Sequence, residues 1–282
     1  MPRQISSSNR NLYFELLQKL WTEGEVDAVS LSRSLGIEAQ EARRKIDFLY
    51  DKLPGLWIEK PPHQSKLLLR GIGSFTDTLL RQMAEKQKLA SWVARNCLKP
   101  GDDVALGSGS TVAYVGQEII RRGMDVRIIT NNEAVLLYLS GIPDTAPLPT
   151  HVESTGGAFS RQRKCFYGEV ALRAFQARYA AKAVVSFSGL TSEGDFLMLD
   201  TREHPIAKEL MAPHEYRKSI IMPLDSQKIG YRRRFESPVS LKQIPQKARS
   251  KYLVVTVGPL TDAQREAIDN YKRLRIRVEV LD

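Results

Sequence analysis

The sequence predicts an α/β protein in two parts, an N-terminal winged helix-turn-helix and a larger, mostly parallel α/β domain. Three observations carry this prediction. Helical patterns and two short β-like runs fill residues 1–70, strands and helices alternate from residue 99 onward, and a glycine-serine turn follows the first strand of that second part. Such alternation is typical of a parallel sheet with helices on both faces. The length of 282 residues also exceeds the usual size of one domain.

The first seventy residues carry apolar side chains at spacings of three and four, which predict three helices. These helices span residues 11–21, 28–35 and 39–52. Two β-like runs, residues 56–60 and 66–70, follow and are separated by a proline-rich turn. Three helices and a hairpin make a winged helix-turn-helix, whose third helix enters the major groove of DNA.

The third predicted helix carries the side chains that suit a reader of double-stranded DNA. Arginine can form two hydrogen bonds with guanine, and glutamine can do the same with adenine. We expect the DNA-binding residues on the exposed face of this helix to be Gln40, Arg43, Arg44 and Lys45. The carboxylates of Glu38 and Glu41, near the helix start, oppose phosphates. The alternative is therefore a solvated charged face on a small module that binds proteins.

A hinge and a linker helix, together residues 71–98, separate the two parts. Residues 71–74 form the predicted hinge, and one long helix is predicted over residues 75–96. The α/β domain then covers residues 99–282. Its strands are predicted at residues 104–106, 126–130, 151–154, 183–187, 219–223, 252–257 and 275–281. Ligands on such sheets bind beyond the carboxyl ends of the strands.

A glycine-serine turn follows the first strand of this domain, and its residues are Gly107, Ser108, Gly109, Ser110 and Thr111. Glycines let the backbone approach a ligand, and the N–H groups at the start of the next helix favour negative charge. No lysine follows in the order GxxxxGK[ST], and no GxGxxG occurs with a suitable acid, so the turn is not a nucleotide-binding loop. A small phosphate ester is the simplest anion. The alternative is a glycine turn without a ligand.

Polar residues and paired glycines follow three other predicted strands. They are Thr130 and Asn131, Gly156 and Gly157, and Asp225 and Lys228. Hydroxyl, amide, carboxylate and ammonium groups can all bond a polyol. Because the carboxyl ends of parallel strands share one edge of a sheet, these residues and the glycine-serine turn together predict a site for a phosphorylated sugar.

The composition narrows the class of protein. The net charge is +10, with +2 in residues 1–70 and +7 in residues 213–282, so charge alone does not locate a nucleic-acid partner. The cysteines, Cys97 and Cys165, form no CxxC pair, and the four histidines show no metal-ligand spacing. No apolar run reaches the roughly 18 residues of a membrane span, and the N-terminus does not read as a secretory signal. We expect a cytoplasmic protein without metal, cofactor or membrane partner.

The sequence resembles the DeoR-type bacterial transcriptional regulators along nearly its whole length. In the third helix, Arg43 and Arg44 match the arginine pair of the family pattern VSxxTIRRDL. In the α/β domain the glycine-serine turn is similar to the family's GTT, residues 130–131 to its TNS, and residues 156–157 to its paired glycines. Residues 225–230, DSQKIG, resemble DSSKFG, and Glu203 resembles the acid that opens an ExxxK helix.

The resemblance implies a fold shared with ribose-phosphate isomerases and CoA-transferase-like domains. It also implies that an effector binds at this pocket, with Glu203 among its contacts, and that the protein is a homo-oligomer. Some residues depart from the family pattern. In the third helix, Glu38, Glu41 and Lys45 stand for a serine, a threonine and an aspartate. In the α/β domain, Gly107 stands where an aspartate is common, and Gln227 replaces a serine.

The rival function is a sugar-phosphate isomerase, which needs a carboxylate base to move a proton between adjacent carbons. The comparable strand end, residues 186–192, holds no acid before Glu193. We therefore expect not an enzyme but a DNA-binding regulator, a repressor, whose operator affinity a phosphorylated sugar or related metabolite controls. A third alternative is a sensor fold with a degenerate pocket, because Gly107 and Gln227 leave the family pattern.

Overall fold

The computed structural model describes residues 25–52, 58–59, 66–69, 75, 78–79, 81–142, 148, 150–231 and 236–282. The predicted first helix and the predicted hinge lie outside these residues. The chain divides into two compact units. One unit comprises Met1–Met83 with Leu136–Leu148, and the other comprises Ala84–Val135 with Pro149–Asp282.

The described elements of the first unit's N-terminal part are a strand, two helices and a hairpin. They are β1 (Glu25–Asp27), α1 (Ala28–Leu35), α2 (Ala39–Lys52), β2 (Ile58–Glu59) and β3 (Lys66–Leu69). Strand β3 lies between β1 and β2 in an antiparallel sheet. Both helices lie at the predicted positions. Strand β1 was not predicted, because the acidic residues around it read as the end of the preceding helix.

Local chemistry explains where α1 begins and ends. The Asp27 carboxylate accepts hydrogen bonds from the N–H groups of Val29 and Ser30, both at 2.8 Å, and so satisfies two donors of the first turn. Gly36, with φ of 61°, ends the helix in the left-handed conformation that glycine adopts without strain. Leu31 and Ile46 are fully buried, as their spacing predicts.

The chain after residue 81 contains twelve strands and six helices within the described residues. The strands are β4 (Asp103–Leu106), β5 (Arg127–Thr130), β6 (His151–Ser154), β7 (Ala158–Ser160), β8 (Cys165–Tyr167), β9 (Lys182–Val184), β10 (Gly189–Leu190), β11 (Asp195–Met198), β12 (Ser219–Pro223), β13 (Glu236–Ser240), β14 (Tyr252–Val257) and β15 (Arg277–Leu281). The helices are α3 (Met83–Asn96), α4 (Ser110–Arg121), α5 (Glu133–Ser140), α6 (Glu169–Ala177), α7 (His204–Met211) and α8 (Asp262–Arg273).

Seven of these strands form one parallel sheet in the order β15-β14-β12-β9-β4-β5-β6. This confirms the predicted, mostly parallel α/β domain. Strand β14 is buried at every residue, which is typical of a parallel strand covered on both faces. Helix α4 is buried over most of its length, and a Cβ on Gly116 would lie 2.6 Å from a methyl carbon of Val135. Glycine therefore lets α4 lie against the start of α5.

Two features differ from the sequence-based expectation. The antiparallel hairpin β7–β8 and the small antiparallel sheet β10-β11-β13 were not predicted, because strands of two to five residues show too little alternation. The single long helix predicted over residues 75–96 is wrong. Gln82 has a left-handed φ of 52°, which a right-handed helix does not contain, and α3 begins at Met83.

No helix within the described ranges combines the length and the apolar character needed to cross a membrane.

Candidate functional site

The order of strands in the parallel sheet locates the site. From β4 the chain continues to β5 and β6 on one side, and then returns to β9 and β12 on the other side of β4. The carboxyl ends of β4 and β9 therefore mark the point where the strand order reverses, which is where open parallel sheets bind ligands. The glycine-serine turn lies at this point, and the N–H of Gly107 donates to the carbonyl of Val184 in β9 at 3.0 Å.

The glycine-serine turn presents buried polar groups that have no partner among the residues that the structure describes. Ser110 and Thr111 are 2% and 0% exposed, and neither hydroxyl makes a hydrogen bond within the described residues. Gly109, with φ of 103°, precedes α4 and offers no side chain to cap it. The first backbone hydrogen bond of the helix runs from Ala113 to Gly109, so the N–H groups before it remain available. Leaving a buried hydroxyl unbonded costs about 1–3 kcal/mol, and an oxyanion would remove this cost.

Asn132 holds the turn in this shape. Its side-chain amide donates to the carbonyls of Gly107 at 3.3 Å and Gly109 at 2.9 Å. Its side-chain carbonyl accepts from the N–H of Ala134 at 3.1 Å. The carbonyls of Gly107 and Gly109 therefore bond to Asn132, while the hydroxyls of Ser110 and Thr111 make no hydrogen bond within the described residues. The sequence places Asn132 directly after Thr130 and Asn131 at a strand end, where an amide can bond a polyol, but it does not predict that Asn132 bonds the turn.

The two site residues predicted at the end of β5 have different environments. The Thr130 hydroxyl donates to the carbonyl of Leu106 at 2.9 Å and accepts from the N–H of Asn132 at 3.0 Å. Thr130 thus connects β5 to β4. The sequence predicts that Thr130 contacts the ligand, but its hydroxyl already donates and accepts a hydrogen bond within the protein. Asn131 donates to the carbonyl of Phe166 at 2.9 Å, while its buried side-chain oxygen has no partner within the described residues.

Glu203 brings a carboxylate to the turn. It is 2% exposed, accepts a short hydrogen bond from the Ser108 hydroxyl, and accepts another from Nε of Arg163 at 2.9 Å. Glu203 ends the 3₁₀ turn Thr201–Glu203 and immediately precedes α7. The sequence placed Glu203 here only through the family resemblance, and the structure joins it to the turn through Ser108.

Arg163 was not predicted as a site residue. It lies between β7 and β8, and this hairpin is held over the end of β5. Phe166 donates its N–H to the carbonyl of Asn131 at 2.8 Å, and Glu133 donates its N–H to the carbonyl of Lys164 at 3.1 Å. In the sequence, Arg163 is recognisable only as part of a basic run at residues 161–164. The fold brings Arg163 to the Glu203 carboxylate.

Cys165 lies in the same hairpin and is fully buried. Burial raises the pKa of the Cys165 thiol far above its usual value, and the negative charge of Glu203 adds to the rise. The thiol therefore stays protonated at neutral pH, and a protonated, buried thiol is a poor nucleophile.

The remaining predicted residues lie farther along the sheet edge. Gly156 and Gly157 follow β6, and a Cβ on Gly157 would lie 2.7 Å from the carbonyl oxygen of Tyr167, so packing alone requires this glycine. Asp225 and Lys228 follow β12 and form an ion pair of 3.2 Å. The ends of β12 and β6 lie four strand spacings apart, about 19 Å. A monosaccharide phosphate is shorter than this spacing, and the sharing of one ligand by the two strand ends stays a prediction.

The residues predicted to bind DNA lie on α2 in the first unit. Gln40, Arg43 and Arg44 are exposed, as expected. Lys45 was expected on the same face, but it is 8% exposed and its ammonium lies 3.4 Å from the Glu41 carboxylate. The expectation is wrong for Lys45 because it is adjacent to the buried Ile46 on the helix.

Unbonded hydroxyls at the switch point of a parallel sheet are typical of ligand-binding domains. Residues 81–246, more than half of the chain, match the family model described as the DeoR C terminal sensor domain. The chain belongs to this family. No curated protein matches it.

Solved structures with a similar fold come from two groups of proteins. Ribose 5-phosphate isomerase A of Methanocaldococcus jannaschii is 14% identical, with a TM-score of 0.32 over 51% of this chain and 52% of that chain. Translation initiation factor eIF-2B of Pyrococcus horikoshii OT3 is 16% identical, with a TM-score of 0.37 over 80% of this chain and 75% of that chain. The chain thus spans about half the length of the isomerase that it matches.

Proposed function

We propose that this protein is a DNA-binding transcriptional regulator whose operator affinity is controlled by a phosphorylated sugar or a related metabolite bound at the glycine-serine turn. One observation carries the proposal. Within a sensor domain, the hydroxyls of Ser110 and Thr111 are buried and unbonded at the start of α4, where the strand order reverses.

The chemistry of the turn favours a phosphate group over a neutral ligand. Free N–H groups at the start of a helix, together with the helix dipole, attract negative charge. The two hydroxyls add donors, and Arg163 adds a positive charge nearby. A phosphate can accept all of these bonds at once, whereas a neutral sugar hydroxyl gains little from the dipole. The sugar then extends toward Asn131 on one side or Asp225 on the other.

DNA binding is assigned to the first unit. Helix α2 presents Gln40, Arg43 and Arg44 to solvent, and the antiparallel strands β2 and β3 suit the wing of a winged helix-turn-helix. We assign the protein a repressor's role in the cytoplasm, as a homo-oligomer. A ligand that binds one arrangement of this regulator better than another shifts the population between them, and a tenfold change in operator affinity requires about 1.4 kcal/mol of coupling.

A thermal-shift screen of phosphorylated sugars against their unphosphorylated counterparts tests the effector site. A ligand that binds only the folded protein at a hundred times its Kd stabilises it by about 2.7 kcal/mol, so phosphorylated compounds are expected to raise the melting temperature. Thr111→Val should abolish the rise. Thr256→Val is the matched control, because the Thr256 hydroxyl is also buried and unbonded but lies in β14. An equal rise in both variants would exclude the turn as the phosphate site.

The same preparations test the rival isomerase function. Both oxygens of Glu203, the carboxylate at the turn, already accept hydrogen bonds, one of them from a guanidinium, so neither oxygen is free to take a proton from a sugar carbon. We expect no conversion of ribose 5-phosphate to its ketose in a coupled spectrophotometric assay. Turnover that Glu203→Gln abolishes would assign the protein to the enzymes instead.

A further inference from the structure

We infer that Arg163 is a ligand-binding cation of the sensor site and that Glu203 is a built-in competitor, which holds Arg163 and Ser108 until an oxyanion takes them. This inference rests on the proposed function and adds the residues that exchange partners. Its basis is the chain of contacts Ser108–Glu203–Arg163 beside the unbonded hydroxyls of the glycine-serine turn.

The Ser108 hydroxyl has a single proton to donate. That proton is used by the Glu203 carboxylate, although Ser108 belongs to the turn whose next residues carry unbonded hydroxyls. An oxyanion at the turn needs the same proton. Ser108 therefore bonds either to Glu203 or to the ligand, and its two partners compete directly.

The guanidinium of Arg163 has hydrogen-bond donors that its bond to Glu203 does not use. Its Nε bonds to Glu203, while Nη1 and Nη2 make no hydrogen bond within the described residues. A guanidinium offers five N–H donors in a planar fork that matches the oxygens of a phosphate. Arg163 can thus bond a phosphate at the turn with the nitrogens that Glu203 leaves unused, or leave Glu203 altogether.

The buried charge of Glu203 opposes an anionic ligand. Glu203 is 2% exposed, so water screens its charge poorly, and a phosphate at the turn would add negative charge next to it. The ligand must therefore bind Ser108 and Arg163 more strongly than the Glu203 carboxylate does. This arrangement sets the affinity of the site and favours ligands with the charge of a phosphate over weaker acceptors.

We expect displacement of Glu203 to affect the rest of the sensor domain through α7. Glu203 immediately precedes α7, and Leu210 of α7 packs against the turn, since a Cβ on Gly107 would lie 3.1 Å from its Cδ1 carbon. Gly107, which departs from the family pattern, thereby lets α7 contact the turn closely. Release of Glu203 loosens the start of a helix that already touches the ligand site at a second point.

The test uses full-length protein and two probes, inorganic phosphate and ribose 5-phosphate, measured by isothermal titration calorimetry. Glu203→Gln keeps the size of the side chain but removes its charge, and we expect phosphate to bind at least ten times more tightly. Arg163→Lys keeps a positive charge for Glu203 but loses the fork, and we expect phosphate to bind several times more weakly. Asp262→Asn, which removes a fully exposed charge at the start of α8, is the control and should leave phosphate affinity unchanged.

Each other outcome is decisive. Unchanged or weaker phosphate binding by Glu203→Gln overturns the inference, and so does unchanged binding by Arg163→Lys, the variant that remains informative if Glu203→Gln does not fold. Inorganic phosphate has no sugar hydroxyl, so a loss confined to ribose 5-phosphate would identify Glu203 as a sugar contact instead. The proposed function fails separately if Thr111→Val binds phosphate as wild type does. Absence of phosphate binding by every variant overturns both.

Discussion

The two edges of the seven-stranded sheet use polar residues in opposite ways. At the carboxyl edge, around β4 and β5, buried polar atoms of Ser110, Thr111 and Asn131 have no partner within the described residues. At the amino edge of the same strands, a cavity of about 160 Å³ is lined by charged side chains that are paired. The pairs are Arg127 with Asp103 at 2.6 Å and Arg178 with Glu153 at 2.5 Å.

A cavity at a sheet edge is therefore not by itself evidence of a binding site. The amino edge holds a cavity, but the charged side chains that line it are already paired with neighbours. The carboxyl edge has donors without acceptors, an arrangement that is costly unless a ligand completes it. The site is therefore better identified by unsatisfied chemistry than by volume. Variants at the two edges should separate stability from binding.

The largest expected effect is on stability and comes from a buried charge outside the two groups of residues compared above. Arg217, just before β12, is 0% exposed, and its nearest carboxylate is Glu209 at 3.9 Å. Burial lowers the pKa of Arg217, and the negative charge of Glu209 opposes this shift. Removing one partner of a buried pair costs about 3–5 kcal/mol, and we expect Glu209→Gln to lose about 3 kcal/mol of unfolding free energy in urea denaturation. An unchanged midpoint would mean that Arg217 has another counter-charge.

A pair of glycine variants sharpens the comparison at intermediate size. Gly109, at the carboxyl edge, and Gly101, just before β4, have φ of 103° and 80°, and a Cβ on either would meet no atom within 4 Å. Both Gly109→Ala and Gly101→Ala should therefore cost about 1–3 kcal/mol through backbone strain alone. Only Gly109→Ala should also weaken phosphate binding, about tenfold, in calorimetry. Equal phosphate affinity in the two variants would show that the shape of the turn does not matter for binding.

The smallest effect is expected at the amino-edge cavity. Arg127 and Asp103 form an exposed ion pair, and exposed pairs contribute little to stability. Arg127→Ala should leave both the melting temperature and the phosphate affinity unchanged within error, at low and at moderate salt. A clear loss of phosphate binding in this variant would move the site to the opposite edge of the sheet.

Most of the parallel sheet was predictable from the sequence. Buried parallel strands read as short apolar runs between turns, and the glycine-serine turn was identifiable because a strand ends directly before it and a helix begins directly after it. The order of the strands was not predictable, because it is decided by packing between distant segments. Without that order, the sequence does not show that the strands before Gly157 and Asp225 are four spacings apart.

Three side chains show the limit of reading a sequence locally. Arg163 reaches Glu203 only because a hairpin with three-residue strands folds over β5. The role of Asn132 depends on which carbonyls its amide meets. Lys45 was misplaced because helical spacing fixes the buried face only to within about one residue. Arg163 and Asn132 contact residues that are distant in the sequence. Lys45 lies at the border between the buried and the exposed face of its helix.

A crystal structure of the full chain grown with inorganic phosphate would show directly whether the glycine-serine turn binds the anion. The account predicts a phosphate with oxygens about 2.7–3.1 Å from the hydroxyls of Ser110 and Thr111 and from the N–H groups that open α4, with Nη atoms of Arg163 turned toward it. A phosphate found elsewhere while these hydroxyls remain unbonded, or a turn filled by the protein's own side chains, would contradict it.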